Sequence, residues 1–214
     1  MRHAITFLLA LLPMLSQAED NISTPYQHYL SSIIPQPIVD TKLFESSHEI
    51  ANGKIIIGFA QPKNESEDSK AILYIVLEMK NGTIKEIVRT SLFEFYTAGG
   101  RTNVETIEIQ SPTRFSIQFN HRGACTAGIE TYRFALAKQT WRVSGRDAIR
   151  YLCSENDESV GDSRTEWSGN FLTGRVVSKE YRHNKLIGDK VTKTIFPEFP
   201  LDHFIPFQKS YGPR

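Results

Sequence analysis

Among residues able to do chemistry, Cys125 with the nearby His121 is the first candidate, because an imidazole beside a thiol can generate a nucleophile. Such a site also needs a group that orients the imidazole and donors for an oxyanion, and no motif of that kind surrounds the pair. Glu130 and Glu166 could act as acid and base in glycoside hydrolysis, which requires two carboxyl groups about 5 to 9.5 Å apart across one bond. They read equally well as outward-facing residues of two strands. Glu155, Asp157, Glu158 and Asp162 offer oxygen ligands for calcium, yet they lack the alternate acids, glycine and distant glutamate of a calcium loop. A solvated loop, residues 154–163, accounts for them. The histidines are scattered, and no nucleophile elbow, metalloprotease helix or phosphate-binding loop occurs. The sequence therefore assigns no catalytic residue, no metal ligand and no cofactor, and it leaves the binding residues unknown.

Two further groups could bind without reacting. Trp141 and Trp167, with Tyr132, Phe134 and Phe171, could form an aromatic platform, but aromatics at strand spacing are expected in a core. Arg142, Arg146, Arg150 and Arg164 are expected on the solvent faces of the same strands. Exposed together, arginines and aromatics would anchor a protein partner.

The start of the chain indicates its destination. Arg2 and His3 precede an apolar run from Ala4 to Leu15, and Ser16-Gln17-Ala18 supplies the small residues that a signal peptidase reads. This predicts a secretory signal peptide over residues 1–18. The run of about 12 residues is shorter than the ~20 needed to span a bilayer. No later stretch is apolar for long enough, so no transmembrane span is expected after cleavage. Cleavage removes one of the 25 basic side chains and none of the 24 acidic ones, which leaves the formal charge near zero. A neutral chain has no bulk attraction to nucleic acid or to an anionic membrane. Its length suits one domain or two small ones, and 40% apolar residues argue against disorder. Export to an oxidising compartment predicts that Cys125 and Cys153 form a disulfide, adding about 3 to 4 kcal/mol on the chain-entropy account. Asn21, Asn64 and Asn81 begin Asn-Xaa-Ser/Thr triplets, which matter only in a eukaryotic secretory route.

The elements that would position these residues follow from periodicity. Thr24 and Pro25 predict a helix running to about Ile34, where Pro35 and Pro37 stop it. Residues 36–47 read as an extended lead-in with little periodicity, so residues 19–53 form a helix and lead-in. From Lys54 the pattern becomes β. "KIIIGFA" predicts a strand, residues 61–70 a loop, and Ala71 to Leu77 a strand buried on both faces that turns at Asn81-Gly82 in a two-residue hairpin.

Alternating runs then follow on either side of Ser111-Pro112. Tyr132, Phe134 and Leu136 share a face, and Trp141, Val143 and Gly145 return after a turn at Lys138-Gln139-Thr140. If Cys125 opens that hairpin and Cys153 closes it, the two sulfurs would meet near one strand pair. Trp167, Gly169 and Phe171 alternate before a turn at Thr173-Gly174, and "GDKVTKTIF" is the last strand. The expected fold is mainly β: antiparallel sheets over residues 54–196, as a sandwich, barrel or partial propeller, with a short N-terminal helix. A proline-rich tail, residues 197–214, could pack Phe199, Phe204 and Phe207 on the sheet.

Two motifs carry a resemblance. Tyr132, Phe134, Trp141, Val143, Gly145 and Asp147 fit a pattern in which an aromatic strand precedes Trp-Xaa-Val-Xaa-Gly-Xaa-Asp. Asn170, Phe171, Leu172, Thr173, Gly174 and Val176 fit Asn-Phe-Leu-Thr-Gly-Xaa-Val. Over about residues 130–177 the chain resembles uncharacterised secreted or periplasmic bacterial proteins. The resemblance implies an envelope location and a β-rich fold with both motifs structural, and it brings no activity.

The sequence thus points to a periplasmic or secreted, non-catalytic binding protein whose partner is another envelope or secreted protein. Its rivals are an envelope hydrolase with acidic catalysts and a subunit of a surface assembly that donates or receives a strand. A deep pocket with two carboxylates, an exposed aromatic and arginine patch, or a long uncovered edge would separate the three.

Overall fold

This computed structural model describes residues 24–34, 41–63, 70–94, 101–122, 126–154, 157–207 and 211–212. The expected signal peptide and the chain around Pro35 and Pro37 lie outside them. One helix opens the described chain, α1 (Pro25–Ile33), and is followed by twelve strands. These are β1 (Thr41–Ile50), β2 (Gly53–Pro62), β3 (Lys70–Met79), β4 (Ile84–Arg89), β5 (Phe93–Glu94) and β6 (Arg101–Ser111). Next come β7 (Arg114–Arg122), β8 (Thr126–Ala137), β9 (Thr140–Ser154), β10 (Asp157–Asn170), β11 (Arg175–Arg182) and β12 (Lys185–Lys193). Among the described residues no helix is long and apolar enough to cross a membrane.

Both sheets are antiparallel meanders in which spatial order follows chain order. The first is β1-β2-β3-β4, with short β5 also paired to β3; the second runs β12-β11-β10-β9-β8-β7-β6. They share one core. Ile57 and Phe59 of β2 and Leu73 and Ile75 of β3 pack with Ile117 and Phe119 of β7 and Tyr132 and Phe134 of β8. The architecture is a sandwich: β1 lies beside β6, yet no ladder joins them among the described residues, so the strands do not close into a barrel.

Sheet β1–β4 has a second buried face, because β2 and β3 are apolar at successive positions. Ile56, Ala60, Ile72, Tyr74 and Val76 lie against Leu30, Ile33 and Ile34 of α1. Burying each such helix side chain stabilises the docking by about 1.5 to 3 kcal/mol. The helix start is the expected one: Thr24 accepts from the Gln27 N–H, and Gln27 answers through the Thr24 N–H, a capping box with Pro25 in the first turn.

Two tyrosines of α1 pin it to the sheet, Tyr26 donating to Glu45 on β1 and Tyr29 donating to Glu86 on β4 at 2.9 Å. Tyr74 also donates to Glu45, reaching across Gly58, and a Cβ built on Gly58 would lie 2.1 Å from the Tyr74 ring. Burial, then the bond to Glu45, pushes the Tyr26 hydroxyl well above its usual range, so it stays a donor.

The structure corrects four expectations of sequence. The supposed lead-in contains strand β1, whose polar residues occupy both faces of an edge strand. Strand β2 continues through Gln61 and Pro62, with Gln61 buried. The supposed acidic loop is strand from Asp157 onward, with irregular pairing to β9 before Ser163. At Asn81-Gly82 the hairpin is present, but Thr83 pairs with Met79 across Lys80-Asn81-Gly82, and in that turn only Gly82 has positive φ, at 79°. This is a type I turn ending in a glycine bulge rather than a two-residue turn.

Two-residue turns with both central residues left-handed occur at Lys138-Gln139, φ 50° and 65°, and at His183-Asn184, φ 48° and 59°. Left-handed backbone costs a residue with a Cβ roughly 1 to 2 kcal/mol. The double substitution Lys138→Asn, Gln139→Gly is therefore expected to stabilise the fold by about 1 kcal/mol, raising the thermal midpoint about 2 to 4 °C in calorimetry.

Candidate functional site

The polar centre of the molecule is built where β8 and β9 cross the inner face of the larger sheet. Strand β8 pairs with β9 in a regular register until Arg133↔Gly145 gives way to Phe134↔Val143, which leaves Ser144 as an extra residue. This bulge inverts the alternation of β9. Trp141 and Val143 face the core before it; beyond it Arg146 and Ala148 do, while Gly145 turns outward with Arg133. Arg146 is 0% exposed and Glu130, from β8, 1%. Both had been read as solvent-facing residues, and the bulge is why Arg146 is not.

Removing two charges from water is costly unless every donor and lone pair finds a partner. Glu130 accepts from Arg146 Nε at 3.0 Å and Nη2 at 2.8 Å, from Tyr132 Oη at 2.8 Å and from Arg150 Nη2 at 3.4 Å. Arg146 Nη1 donates to the Tyr211 carbonyl at 3.2 Å, and the guanidinium lies between the Tyr132 and Trp167 rings, 5.9 and 5.4 Å from their centroids. Tyr132 Oη in turn accepts the Phe207 N–H at 2.7 Å, which helps hold Phe207 at its positive φ of 64°. The ion pair thereby fixes the C-terminal segment over the sheet. Phe199 and Phe207 pack against the core from that segment and Phe204 lies fully inside it, as the sequence suggested; Tyr211 joins them, its hydroxyl pushed up to about 12 by burial.

Along the same inner face, His121 of β7, Gly128 of β8 and Arg150 of β9 form one cross-strand row. A Cβ on Gly128 would lie 2.3 Å from the His121 ring, so the glycine makes room for the imidazole. Burial holds His121 below its usual range and thus neutral. Beyond the row a cavity of about 360 Å³ opens, lined in part by Arg150, Leu152, Thr165, Trp167 and Glu180. Arg150 already shares Glu130, and Glu180 adds a second acid, so the cavity presents mixed charge rather than an anion site.

The other sequence candidates separate. Glu130 stands in register with Ala148 and then Trp167, whereas Glu166 stands in register with Ile149, one residue out of phase. Alternate residues face opposite sides of a sheet, so the two carboxylates cannot flank one bond. Glu166 instead accepts from Tyr181 at 3.2 Å and pairs with Arg164 at 3.0 Å. Trp141, Phe134, Phe171 and Tyr132 are buried, which removes them as a platform; Trp167 is half-buried over Arg146. Arg142, largely buried, bonds Glu198 at 2.8 Å. Cys125 lies outside the described residues, and Cys153 is described only as backbone near the end of β9; Glu155 lies outside them, and Asp157, Glu158 and Asp162 are described only as backbone.

What sequence reasoning missed is the exposure of the last hairpin, not its strands. Strand β12 is exposed along nearly its whole length, with Leu186, Ile187 and Val191 at 52, 57 and 59% exposure, and Ile195 beyond it is 97% exposed. The absence of bulky apolar residues at alternate positions between Gly188 and Thr194 was the available signal. The other sheet edges are accompanied: β1 and β6 lie beside each other, and β4 lies beside the 3-10 turn Leu201–His203.

Comparison of the chain with known protein families, with curated proteins and with solved structures returned no match. What fold and site define is a mainly antiparallel β sandwich with a sealed internal ion pair and an open outer hairpin.

Removing one partner of a buried pair strands the other charge. Arg146→Met and Glu130→Leu are each expected to lower unfolding free energy by about 3 to 5 kcal/mol in urea titrations. The double variant should recover most of that loss, since an apolar pair leaves no unpaired charge.

Proposed function

We propose that this chain is an exported, non-catalytic interaction protein of the bacterial envelope, which engages another protein chain along the open edge of β12. The observation that carries this reading is that edge: an exposed strand that no other strand pairs on its outer side among the described residues, with exposed apolar side chains at Leu186, Ile187, Val191 and Ile195. The signal-like residues 1–18 and the resemblance over residues 130–177 support the location. The edge joins the binding reading to that of an assembly subunit, since strand addition serves both. The hydrolase reading loses its named acids, Glu130 and Glu166, to opposite faces.

The proposed export to an oxidising compartment, with both cysteines downstream of the signal-like residues, supports the further proposal of a Cys125–Cys153 disulfide. Alkylation of the denatured, unreduced protein is expected to label neither thiol by mass spectrometry, and both after reduction; labelling before reduction would refute the bond.

Val191→Pro tests the edge. The Val191 N–H points away from β11, so proline removes an outward donor and spares the inner ladder. Immobilised wild type is expected to retain protein, a distinct partner or untagged copies of itself, from envelope extract, and Val191→Pro is expected to lose it. Equal retention by both would overturn the reading.

A further inference from the structure

We infer that the occupant of this edge is a second copy of the same chain, with β12 pairing antiparallel to β12 about a twofold axis at Val191. The inference rests on the proposed use of the edge and adds its partner and register. The Thr194 N–H donates to the Gly174 carbonyl at 2.8 Å, and Arg175↔Lys193 and Val177↔Val191 continue that ladder. In an antiparallel pair, residues alternate between bonding inward and outward. Thr194, Thr192 and Lys190 therefore bond towards β11, while Lys193, Val191 and Asp189 turn their N–H and C=O groups to the open side. A partner strand must offer outward-turned residues opposite these.

A second β12 does so when Val191 faces Val191. That register sets Asp189 opposite Lys193 of the second copy, and Lys193 opposite its Asp189. The matched segment runs from Asp189 to Lys193, because Ile187 is the extra residue where Glu180↔Gly188 gives way to Tyr181↔Leu186. Apolar residues meet apolar residues and opposite charges meet, the pairings that favour neighbouring strands. Every nearby register that keeps the outward groups in phase is worse. Shifting one way sets Lys190 against Lys190, and a further step sets Asp189 against Asp189; shifting the other way sets Val191 against Lys193, then Lys193 against Lys193. Lysines on an edge ordinarily repel further strands. Here Lys193 gains a carboxylate and Lys190 faces Thr192, so the same residues that bar other registers admit this one. Joining single strand edges buries less than the ~1,600 Å² of a standard interface, so a dimer of micromolar affinity is expected.

Sedimentation equilibrium of the oxidised, signal-cleaved protein, from micromolar to submillimolar concentration, tests the inference. The wild type should show a monomer–dimer equilibrium and Val191→Pro should be monomeric. Asp189→Lys and Lys193→Asp should each weaken the dimer by about tenfold or more, because two symmetric attractions become repulsions. Within the chain Asp189 stands opposite Lys179 and Lys193 opposite Arg175, so Lys193→Asp is the variant expected to keep full fold stability. The double variant Asp189→Lys, Lys193→Asp recreates both pairs with signs exchanged and should dimerise almost as the wild type does. Thermal melts of each variant confirm folding. A monomeric wild type, a dimer indifferent to Val191→Pro, or a double variant that stays dissociated would overturn self-pairing. If the wild type is monomeric while Val191→Pro still loses a captured partner, self-pairing fails and the edge reading stands; capture unaffected by Val191→Pro overturns both.

Discussion

The structure depends on an ion pair placed where side chains are otherwise aromatic. Glu130 and Arg146 occupy the centre of the inner face, and neither can be tolerated there unless all their hydrogen-bonding groups are met. Partners come from three parts of the chain: Tyr132 on the same strand as Glu130, Arg150 four residues along β9 from Arg146, and the Tyr211 carbonyl from the C-terminal segment. The Ser144 bulge aims the arginine inward, and the Tyr132 and Trp167 rings exclude water from both sides of it. One backbone irregularity thus decides whether the tail has a polar anchor. Such a pair adds little net stability against an apolar substitute; its hydrogen bonds tie the tail to the sheet at Tyr211 and, through Tyr132, at Phe207.

Burial grades across the larger sheet. Strands β7 and β8 and the first half of β9 lie under the smaller sheet and the tail, β10 is half-covered, and β12 is bare on both faces. The meander therefore extends past its own core. At the covered end, side chains are fixed by ring contacts such as the stacked Phe115 and Phe134, whose centroids are 4.4 Å apart. At the bare end, the hairpin is held by its ladders and by pairs such as Arg164 over the Tyr181 ring. Strand pairing at this end needs only an accessible ladder.

Most of the fold was legible wherever periodicity stayed regular. The capped helix, the doubly buried "AILYIVL" strand and the turns at Pro112, Lys138-Gln139 and Thr173-Gly174 all followed from local chemistry. Legibility failed where local pattern and pairing diverge. Strand β1 carries polar residues on both faces because it is an edge, so its sequence shows no alternation to read. The start of β10 is acidic and irregularly paired, which mimics a loop. Arg146 was misplaced because a one-residue bulge reverses every later side chain, and alternation counted from Trp141 cannot detect it. The edge was hidden for a different reason: a strand pattern reveals that a segment pairs, and exposure depends on how far the core extends beneath it.

The order of the strands has a bearing on how the chain folds. Apart from the short β5, which pairs with β3, each strand of both meanders is laddered to a sequence neighbour, so hairpins can form in turn along the chain. The seal over Arg146 is different, since Phe207 and Tyr211 follow every strand in the chain. Until that segment docks, the charged centre of the sheet stays wet, so sealing of the sandwich waits on residues that come later in the chain than all twelve strands.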